Sequence, residues 1–166
     1  TYGMFYNKDL VSAEEIATME GLMKVAEEQT DAGQDKYGFL MEATNFYFIY
    51  PFFAGNGGYV FNNDGSGFDA KDIGLANEGA VEGGELVQSW FDNGYIPKEI
   101  NGDIMSGLFT EGKVATVLTG PWNIATYKDA LGDKLGTATL PKLENGDVPK
   151  SFVGVKAWML SSYSEN

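Results

Sequence analysis

The sequence predicts an α/β fold in which helices and a sheet form separate layers. Strand-like and helix-like segments alternate along the 166 residues. The chain contains 22 glycines, which predicts many turns and close backbone contacts. Alternation of this kind is typical of layered α/β architectures. The length fits one domain, so we expect a single α/β lobe over residues 1–166.

The first quarter of the chain predicts a strand, a helix and a second strand. Tyr2 to Tyr6 is a short apolar strand that the polar segment NKD ends. Ser12 and Glu15 have the spacing of a capping box. A helix is therefore predicted from about Ala13 to Gln29, with apolar residues at helical spacing. The segment KYGFLM then predicts a strand.

The next segment predicts an aromatic helix followed by a tight turn. Thr44 is placed to cap a helix over NFYFIYPFFAGN. Pro51 lies inside this helix and is expected to kink or shorten it, since proline lacks the backbone N–H that an interior helical position donates. The segment YVF predicts a short strand, and NNDGSG, residues 62–67, predicts the tip of a hairpin.

The second half of the chain continues the alternation. Asn77 is predicted to cap a helix to about Asp92, with Trp90 or Phe91 facing inward. KVATVLT has the clearest strand pattern in the chain. The remaining predicted elements are two helices and two strands: helices at about 103–110 and 122–131, and strands over LGTATL and FVGVKAWML.

Charge and composition exclude several classes of function. The net charge is −13, which repels nucleic-acid phosphates, and we expect no nucleic-acid partner. The chain has no Cys and no His, so thiolate nucleophiles, Ser-His triads and ordinary zinc sites are excluded. No apolar run is long enough to span a membrane. We expect no cofactor, no metal and no catalytic residue.

Two acidic patterns have ordinary explanations. Residues 62–73 begin like a calcium-binding loop, but Ile73 stands where that loop needs a bidentate glutamate, which favours a solvated turn. The remaining carboxylates fall mostly on the outer faces of predicted helices. No pair is surrounded by apolar residues as a glycosidase acid and base would be, so that function has no positive support.

Two aromatic segments are candidates for ligand binding. Tyr47 and Tyr50 are three residues apart and share a face of the predicted aromatic helix. Each phenol needs a polar partner, which a purely buried helix supplies poorly. In TGPWN, Trp122 follows a Gly-Pro corner at the end of a strand, where ligands bind in open α/β sheets. The indole is either a platform there or a plug in the core. Flat aromatic faces of this kind suit the C–H face of a pyranose ring.

Four ordered segments resemble the extracellular solute-binding proteins of ABC sugar importers, specifically the maltose/maltodextrin-binding type. They are YNKDL, NFYFIYPFFAGNGGYVF, LFTEGKVATVLTGPWN and LPKLENGDVPKSFVGV. The resemblance covers nearly the whole chain. It implies a layered α/β/α lobe of the type II periplasmic-binding-protein fold. It further implies that residues 1–166 are mostly the second lobe of a two-lobe protein, incomplete at both ends.

The resemblance also implies the site. Tyr47 and Trp122 match the two aromatics that stack on sugar in the second lobe of that family. Asn45 matches a position that is acidic in the best-known member, so the hydrogen bonding at this position is expected to differ. Phe46 and Tyr50 are secondary candidates.

The function that the resemblance implies is non-enzymatic binding of maltose or maltodextrin for uptake through an ABC permease. The expected location is extracellular, either lipid-anchored on a Gram-positive cell surface or periplasmic, with the targeting segment absent from this chain. Two alternatives remain open at this point. One is a binding protein of the same fold for another oligosaccharide, and the other is a fragment of a glycoside hydrolase.

Overall fold

The computed structural model describes residues 1–164, so the last two residues of the predicted 1–166 lobe lie outside the described residues. In the described part, the strands are β1 (Gly3–Asn7), β2 (Tyr37–Leu40), β3 (Asn62–Asn63), β4 (Phe68–Asp69), β5 (Val114–Thr119) and β6 (Leu135–Ala138). The α-helices are α1 (Met19–Gln29), α2 (Phe46–Gly55), α3 (Glu78–Asp92), α4 (Gly102–Thr110) and α5 (Ile124–Leu131). None of these helices is long and apolar enough to cross a lipid bilayer.

A four-stranded sheet in the order β2-β5-β1-β6 forms the centre of the fold. Strand β1 is antiparallel to β5 and to β6, whereas β2 is parallel to β5. All six residues of β5 are buried, which confirms the strand predicted over KVATVLT. A strand buried on both faces carries apolar residues on both, as β5 does with Val114, Ala115, Val117 and Leu118. Thr116 and Thr119 are the buried polar residues of this strand.

Helices cover both faces of the sheet. Phe5 of β1 and Phe39 of β2 pair with consecutive residues of β5, so their rings lie on opposite faces. Tyr127 of α5 packs edge-on against Phe5, with ring centroids 5.5 Å apart. Trp90 of α3 packs edge-on against Phe39 at 5.7 Å and is fully buried. The layered α/β/α prediction is therefore confirmed, and Trp90 rather than Phe91 is the inward residue of α3.

The first helix starts later than predicted. Ser12 and Glu15 do form the capping-box hydrogen bonds, with Ser12 N–H donating to the Glu15 carboxylate at 2.8 Å and Glu15 N–H donating to the Ser12 hydroxyl at 3.3 Å. Helix α1 nevertheless begins at Met19, capped by Thr18, and the predicted start near Ala13 was wrong. Thr18 pairs as an isolated bridge with the segment after β6, and this pairing holds its backbone extended.

Helix α2 starts at a different cap and continues through its proline. Asn45, not the predicted Thr44, is the N-cap, and its side-chain oxygen accepts a hydrogen bond from the Tyr47 N–H at 3.0 Å. The helix is not shortened at Pro51. The Tyr47 carbonyl, which loses its helical partner there, accepts a hydrogen bond from the Tyr2 hydroxyl instead.

Most later elements fall where they were predicted. Helix α3 is capped by Asn77 and ends at Asp92, and α4 and β6 match their predicted ranges closely. A 3₁₀ turn over Pro121–Asn123 precedes α5. NNDGSG lies in the hairpin that joins β3 and β4, as predicted, but YVF contributes only an isolated bridge between Tyr59 and Gly74.

The strand predicted over FVGVKAWML does not form. Within the described residues, 152–160 have no regular secondary structure. Val153 is 80% exposed and the Trp158 side chain is fully exposed. A strand needs a neighbouring strand to take its backbone hydrogen bonds, and no described strand pairs with this segment. The apolar pattern predicted a strand, but pairing decides whether one forms.

Two glycines let α3 lie directly on α2. A Cβ added at Gly79 would collide with the Asn56 carbonyl, and one added at Gly83 would lie 2.7 Å from the Phe53 Cα. Without side chains at these two positions, the backbones of the two helices touch. The position of α2 relative to α3 therefore depends on this contact.

We expect Gly83→Ala to lower the free energy of unfolding by about 1–3 kcal/mol, because the new methyl group forces the two helices apart. Gly84→Ala is the matched control on the same helix. An added Cβ there meets only the Phe53 ring at 3.7 Å. This substitution should raise stability by up to about 1 kcal/mol through helix propensity. Equal stabilisation by both substitutions in chemical denaturation would contradict the close contact.

Candidate functional site

The candidate site lies at one edge of the sheet. Strands β2 and β5 are parallel, so their carboxyl ends meet at the same edge. Gly3 pairs with Thr119, which places the start of β1 beside the end of β5. Helix α2 follows β2, and the Gly-Pro corner follows β5. Three segments that are distant in sequence thus bring their aromatic side chains to one edge.

Trp122 is an exposed platform on the Gly-Pro corner. Its side chain is 59% exposed, so it does not plug the core. The benzene half of the indole lies over Gly120, where any added Cβ would collide with the ring. Phe48 of α2 contacts the indole edge-on, with centroids 6.4 Å apart. One face of Trp122 is thus supported by protein.

Asn123 anchors this corner to the core. Its side-chain amide donates to the Thr119 hydroxyl at 3.1 Å and to the Tyr127 hydroxyl at 3.3 Å. Tyr127 is fully buried, and burial raises the pKa of its hydroxyl, while hydrogen bonds with Ser106 and Asn123 act in the opposite direction. The anchoring role of Asn123 was not predicted from the sequence, although this residue directly follows the Gly-Pro-Trp motif.

Tyr47 is half-buried among other rings. Tyr2 and Phe48 contact it edge-on at 4.9 and 5.2 Å, and Phe152 lies parallel to it at 6.1 Å. Phe48 contacts both Tyr47 and Trp122, so the two predicted stacking residues belong to one aromatic cluster.

Phe152 is an aromatic residue of this region that sequence reasoning missed. It stacks on Tyr50 with centroids 3.9 Å apart and planes at 10°. The sequence placed Phe152 in a strand and assigned its ring no role. The available signal was its position inside the fourth matching segment.

Tyr2 was missed as well, and its contact is specific. In a regular α-helix the carbonyl of Tyr47 would accept from the N–H of residue 51, but Pro51 has none. The Tyr2 hydroxyl donates to that carbonyl at 2.7 Å. Burial, and then the neighbouring Tyr47, raise the pKa of Tyr2, while a hydrogen bond from the Phe152 backbone lowers it. The phenol therefore remains a donor.

The secondary candidates Phe46 and Tyr50 lie on a neighbouring groove. This groove, beside α2, has a volume of about 790 Å³. A separate surface cavity of about 490 Å³ lies between α1 and α3. The groove runs between α2, the β3–β4 hairpin and residues 150–153. Its aromatic walls are Phe46, Tyr50, Tyr59, Phe61, Phe68 and Phe152. The structure thus separates these two candidates from the Trp122 face, although Phe152 contacts both regions.

Asn45 has a structural partner already. Its side-chain oxygen caps α2, and the residue is exposed. An aspartate would cap the helix equally well. Asparagine therefore preserves the helix start while offering a ligand hydrogen-bond donors in place of a charged acceptor.

Hydrogen bonds lower the pKa values of two of the described carboxylates. A hydrogen bond from the Ser66 side chain lowers the pKa of Asp64, and the Ser12 backbone N–H lowers that of Glu15. A general acid of a glycosidase needs the opposite shift. Among residues 1–164, no group of three or more Asp, Glu, His or Cys side chains is arranged to hold a metal ion. The calcium-like loop is the β3–β4 hairpin, with Asp64 bonded to Ser66.

The arrangement suits a flat, uncharged ligand with one apolar face. An exposed indole, a half-buried phenol and amide donors at a helix start provide stacking surfaces and a few directed hydrogen bonds. Each aromatic contact of this kind contributes about 0.5–1.5 kcal/mol. A sugar ring, with C–H groups on its face and hydroxyls at its rim, has the matching chemistry.

Comparison with known families gives one match over the whole chain. The family model of the bacterial extracellular solute-binding proteins matches residues 1–166. A galactooligosaccharide-binding protein of Bacillus subtilis is 39% identical over 98% of the chain and 39% of its own length. A maltooligosaccharide ABC transporter solute-binding lipoprotein of Streptococcus pneumoniae is 41% identical over the same shares. The chain thus spans about two fifths of the length of these relatives.

Solved structures agree with this match. An extracellular solute-binding protein from Staphylococcus aureus in complex with maltose superposes with a TM-score of 0.86 at 44% identity, covering 92% of the chain and 40% of that protein. A cyclo/maltodextrin-binding protein complexed with maltotetraose superposes with a TM-score of 0.87 at 40% identity, covering 99% and 42%. The fold is that of type II periplasmic solute-binding proteins, as the sequence predicted.

We expect Gly120→Ala to displace the Trp122 indole, because the added methyl group would occupy the space that the ring covers. The ring should become more accessible, and its fluorescence more strongly quenched by acrylamide, when measured in a background with Trp90 and Trp158 replaced by Phe. Gly107→Ala is the control, since an added Cβ there meets nothing within 4 Å. Identical quenching in the Gly120→Ala and parent proteins would contradict the described support of the ring.

Proposed function

The chain belongs to the bacterial extracellular solute-binding protein family, and on that premise we propose that it binds a maltose or maltodextrin ligand for uptake by an ABC transporter. The observation that carries the proposal is the exposed indole of Trp122, supported by Gly120 and joined to Tyr47 through Phe48. Maltooligosaccharide-binding relatives and the maltose and maltotetraose complexes of structural neighbours support an α-linked glucose ligand.

The proposed ligand requires more surface than this chain offers. Micromolar affinity corresponds to about 8 kcal/mol. Two stacking contacts and a few hydrogen bonds of about 1 kcal/mol each fall short once the entropic cost of association is subtracted. We therefore propose that residues 1–166 are one lobe of a two-lobe protein that closes on the sugar by a hinge motion. The greater length of the matched relatives supports this arrangement.

The proposed protein is a receptor rather than an enzyme. Closure on the sugar would present the liganded form to the membrane subunits of an ABC permease, which would bind it in preference to the open form. The family is extracellular, and one relative is named a lipoprotein, which supports a location on the outer side of the membrane. The arrangement of the described carboxylates gives no support to hydrolysis.

A second candidate is a different oligosaccharide. The galactooligosaccharide-binding relative is as similar to this chain as the maltooligosaccharide-binding ones. Asn45 is the residue at which selectivity between sugars would arise. Its amide can donate a hydrogen bond to a sugar hydroxyl, whereas a carboxylate at this position could only accept one. The two ligands share the stacking requirement, so only a direct comparison separates them.

We expect Trp122→Ala to weaken binding of maltotriose to the full-length protein by about tenfold or more, because the stacking face is lost. Isothermal titration calorimetry measures this directly. Val81→Ala is the control, since Val81 is an exposed apolar residue of α3 that does not line the groove beside α2. Unchanged maltotriose affinity in the Trp122 variant would remove the platform from the proposed site.

We expect the full-length protein to bind maltotriose with micromolar affinity and to bind an α-galactosyl oligosaccharide and a β-linked glucan much more weakly. The physical reason is that the hydrogen bonds at the rim of the platform depend on the orientation of each hydroxyl. Titrations of the three sugars under the same conditions provide the test. Saturable binding of the galactosyl sugar alone would keep the fold and the platform but replace the ligand.

A further inference from the structure

We propose that Tyr2 is a positioning residue that sets the placement of Tyr47 relative to Trp122. This inference rests on the proposed function, in which those two rings hold the sugar. The observations that support it are independent of the ligand: a hydrogen bond, a ring contact and a strand pairing, all made by the first residues of the chain.

The hydrogen bond replaces a helical one. Pro51 removes the N–H that would hold the Tyr47 carbonyl within α2. The Tyr2 hydroxyl takes that place at 2.7 Å, so the backbone of Tyr47 is held from outside the helix. This hydrogen bond is partly buried, and leaving a buried backbone carbonyl without a partner costs free energy comparable to a lost hydrogen bond. The hydrogen bond from Tyr2 therefore stabilises α2.

The ring contact acts on the side chain itself. The Tyr2 ring packs edge-on against the Tyr47 ring at 4.9 Å and lies tilted against Phe48 at 5.4 Å. Tyr2 is 6% exposed, so its ring has little freedom to move. Both the backbone and the ring of Tyr47 are thus in contact with one buried side chain.

The strand pairing connects this contact to Trp122. Gly3 pairs with Thr119 at the end of β5, one residue before the glycine that supports the indole. Tyr2 precedes Gly3, so the residue that holds Tyr47 is attached to the strand end that carries Trp122. The chain start also reaches the third segment of the region, because the Thr1 hydroxyl hydrogen-bonds to the Ser151 hydroxyl at 2.7 Å.

The spacing of the two stacking rings therefore depends on Tyr2. Tyr47 lies on α2 and Trp122 lies on the corner after β5, and Phe48 of α2 contacts the indole edge-on. Tyr2 adds a directed hydrogen bond to the Tyr47 carbonyl, and its neighbour Gly3 pairs with the end of β5. A sugar stacked on both rings requires their separation to be constant, so loosening this contact should weaken binding without removing either platform.

The test is a double-mutant cycle in the full-length protein. Tyr2→Phe removes the hydroxyl and keeps the ring. Pro51→Ala supplies an N–H that can hold the Tyr47 carbonyl within the helix. We expect Tyr2→Phe to weaken maltotriose binding about three- to tenfold. In the Pro51→Ala background the same substitution should change the affinity by less than about twofold.

Tyr6→Phe is the matched control, because Tyr6 lies in β1, the strand that directly follows Tyr2, with its ring over Gly136 of β6. It should leave maltotriose affinity unchanged. Thermal unfolding of each variant is measured alongside, with all titrations made well below the unfolding transition. A lowered unfolding temperature for Tyr2→Phe with wild-type affinity would reduce Tyr2 to a structural residue and overturn the inference.

The remaining outcomes are distinct. Equal loss of affinity from Tyr2→Phe in both backgrounds would show that the hydroxyl does not act through the Tyr47 carbonyl, and would also overturn the inference. Failure of the wild-type protein to bind any tested oligosaccharide would instead overturn the proposed function, and with it the ligand-positioning role. Wild-type binding together with rescue by Pro51→Ala supports both.

Discussion

The parallel pairing of β2 with β5, together with the antiparallel pairing of β1 with β5, is the constraint on which the rest of the structure depends. Because β5 is buried along all six residues, its two neighbours are fixed in register and in direction. That register brings the end of β2, the end of β5 and the start of β1 to one edge. Tyr2, Tyr47, Phe48 and Trp122 each precede or follow one of these strand ends.

Glycines decide how closely the aromatic elements approach each other. Gly120 makes room for the indole ring of Trp122, and Gly83 allows the backbones of α3 and α2 to meet. In both places, the absence of a Cβ determines the position of a neighbouring element. The high glycine content of the chain is therefore partly explained by packing, in addition to the turns that glycine usually supplies.

Caps and hydrophobic patterns within a segment correctly predicted the helices and strands that depend only on that segment. The Asn77 cap and the buried run of β5 gave helix and strand boundaries close to the observed ones. The start of α1 was missed because a pairing of Thr18 with a distant segment overrides a capping box that does form. The predicted strand after residue 151 failed for the related reason that strand formation requires a partner.

The candidate site likewise combines a residue that the sequence predicted with residues that it did not. The exposure of Trp122 could be expected from its corner, whereas the roles of Tyr2, Asn123 and Phe152 come from contacts between segments that a single sequence does not relate. The bond between Tyr2 and the Tyr47 carbonyl has a further consequence for the order of folding. Because α2 lacks an internal hydrogen bond at this carbonyl, its first turns gain full stability only after β1 has docked. The helix depends on a contact between residues that are 45 positions apart in sequence, and contacts of such separation are slow to form because the intervening chain loses entropy when they close.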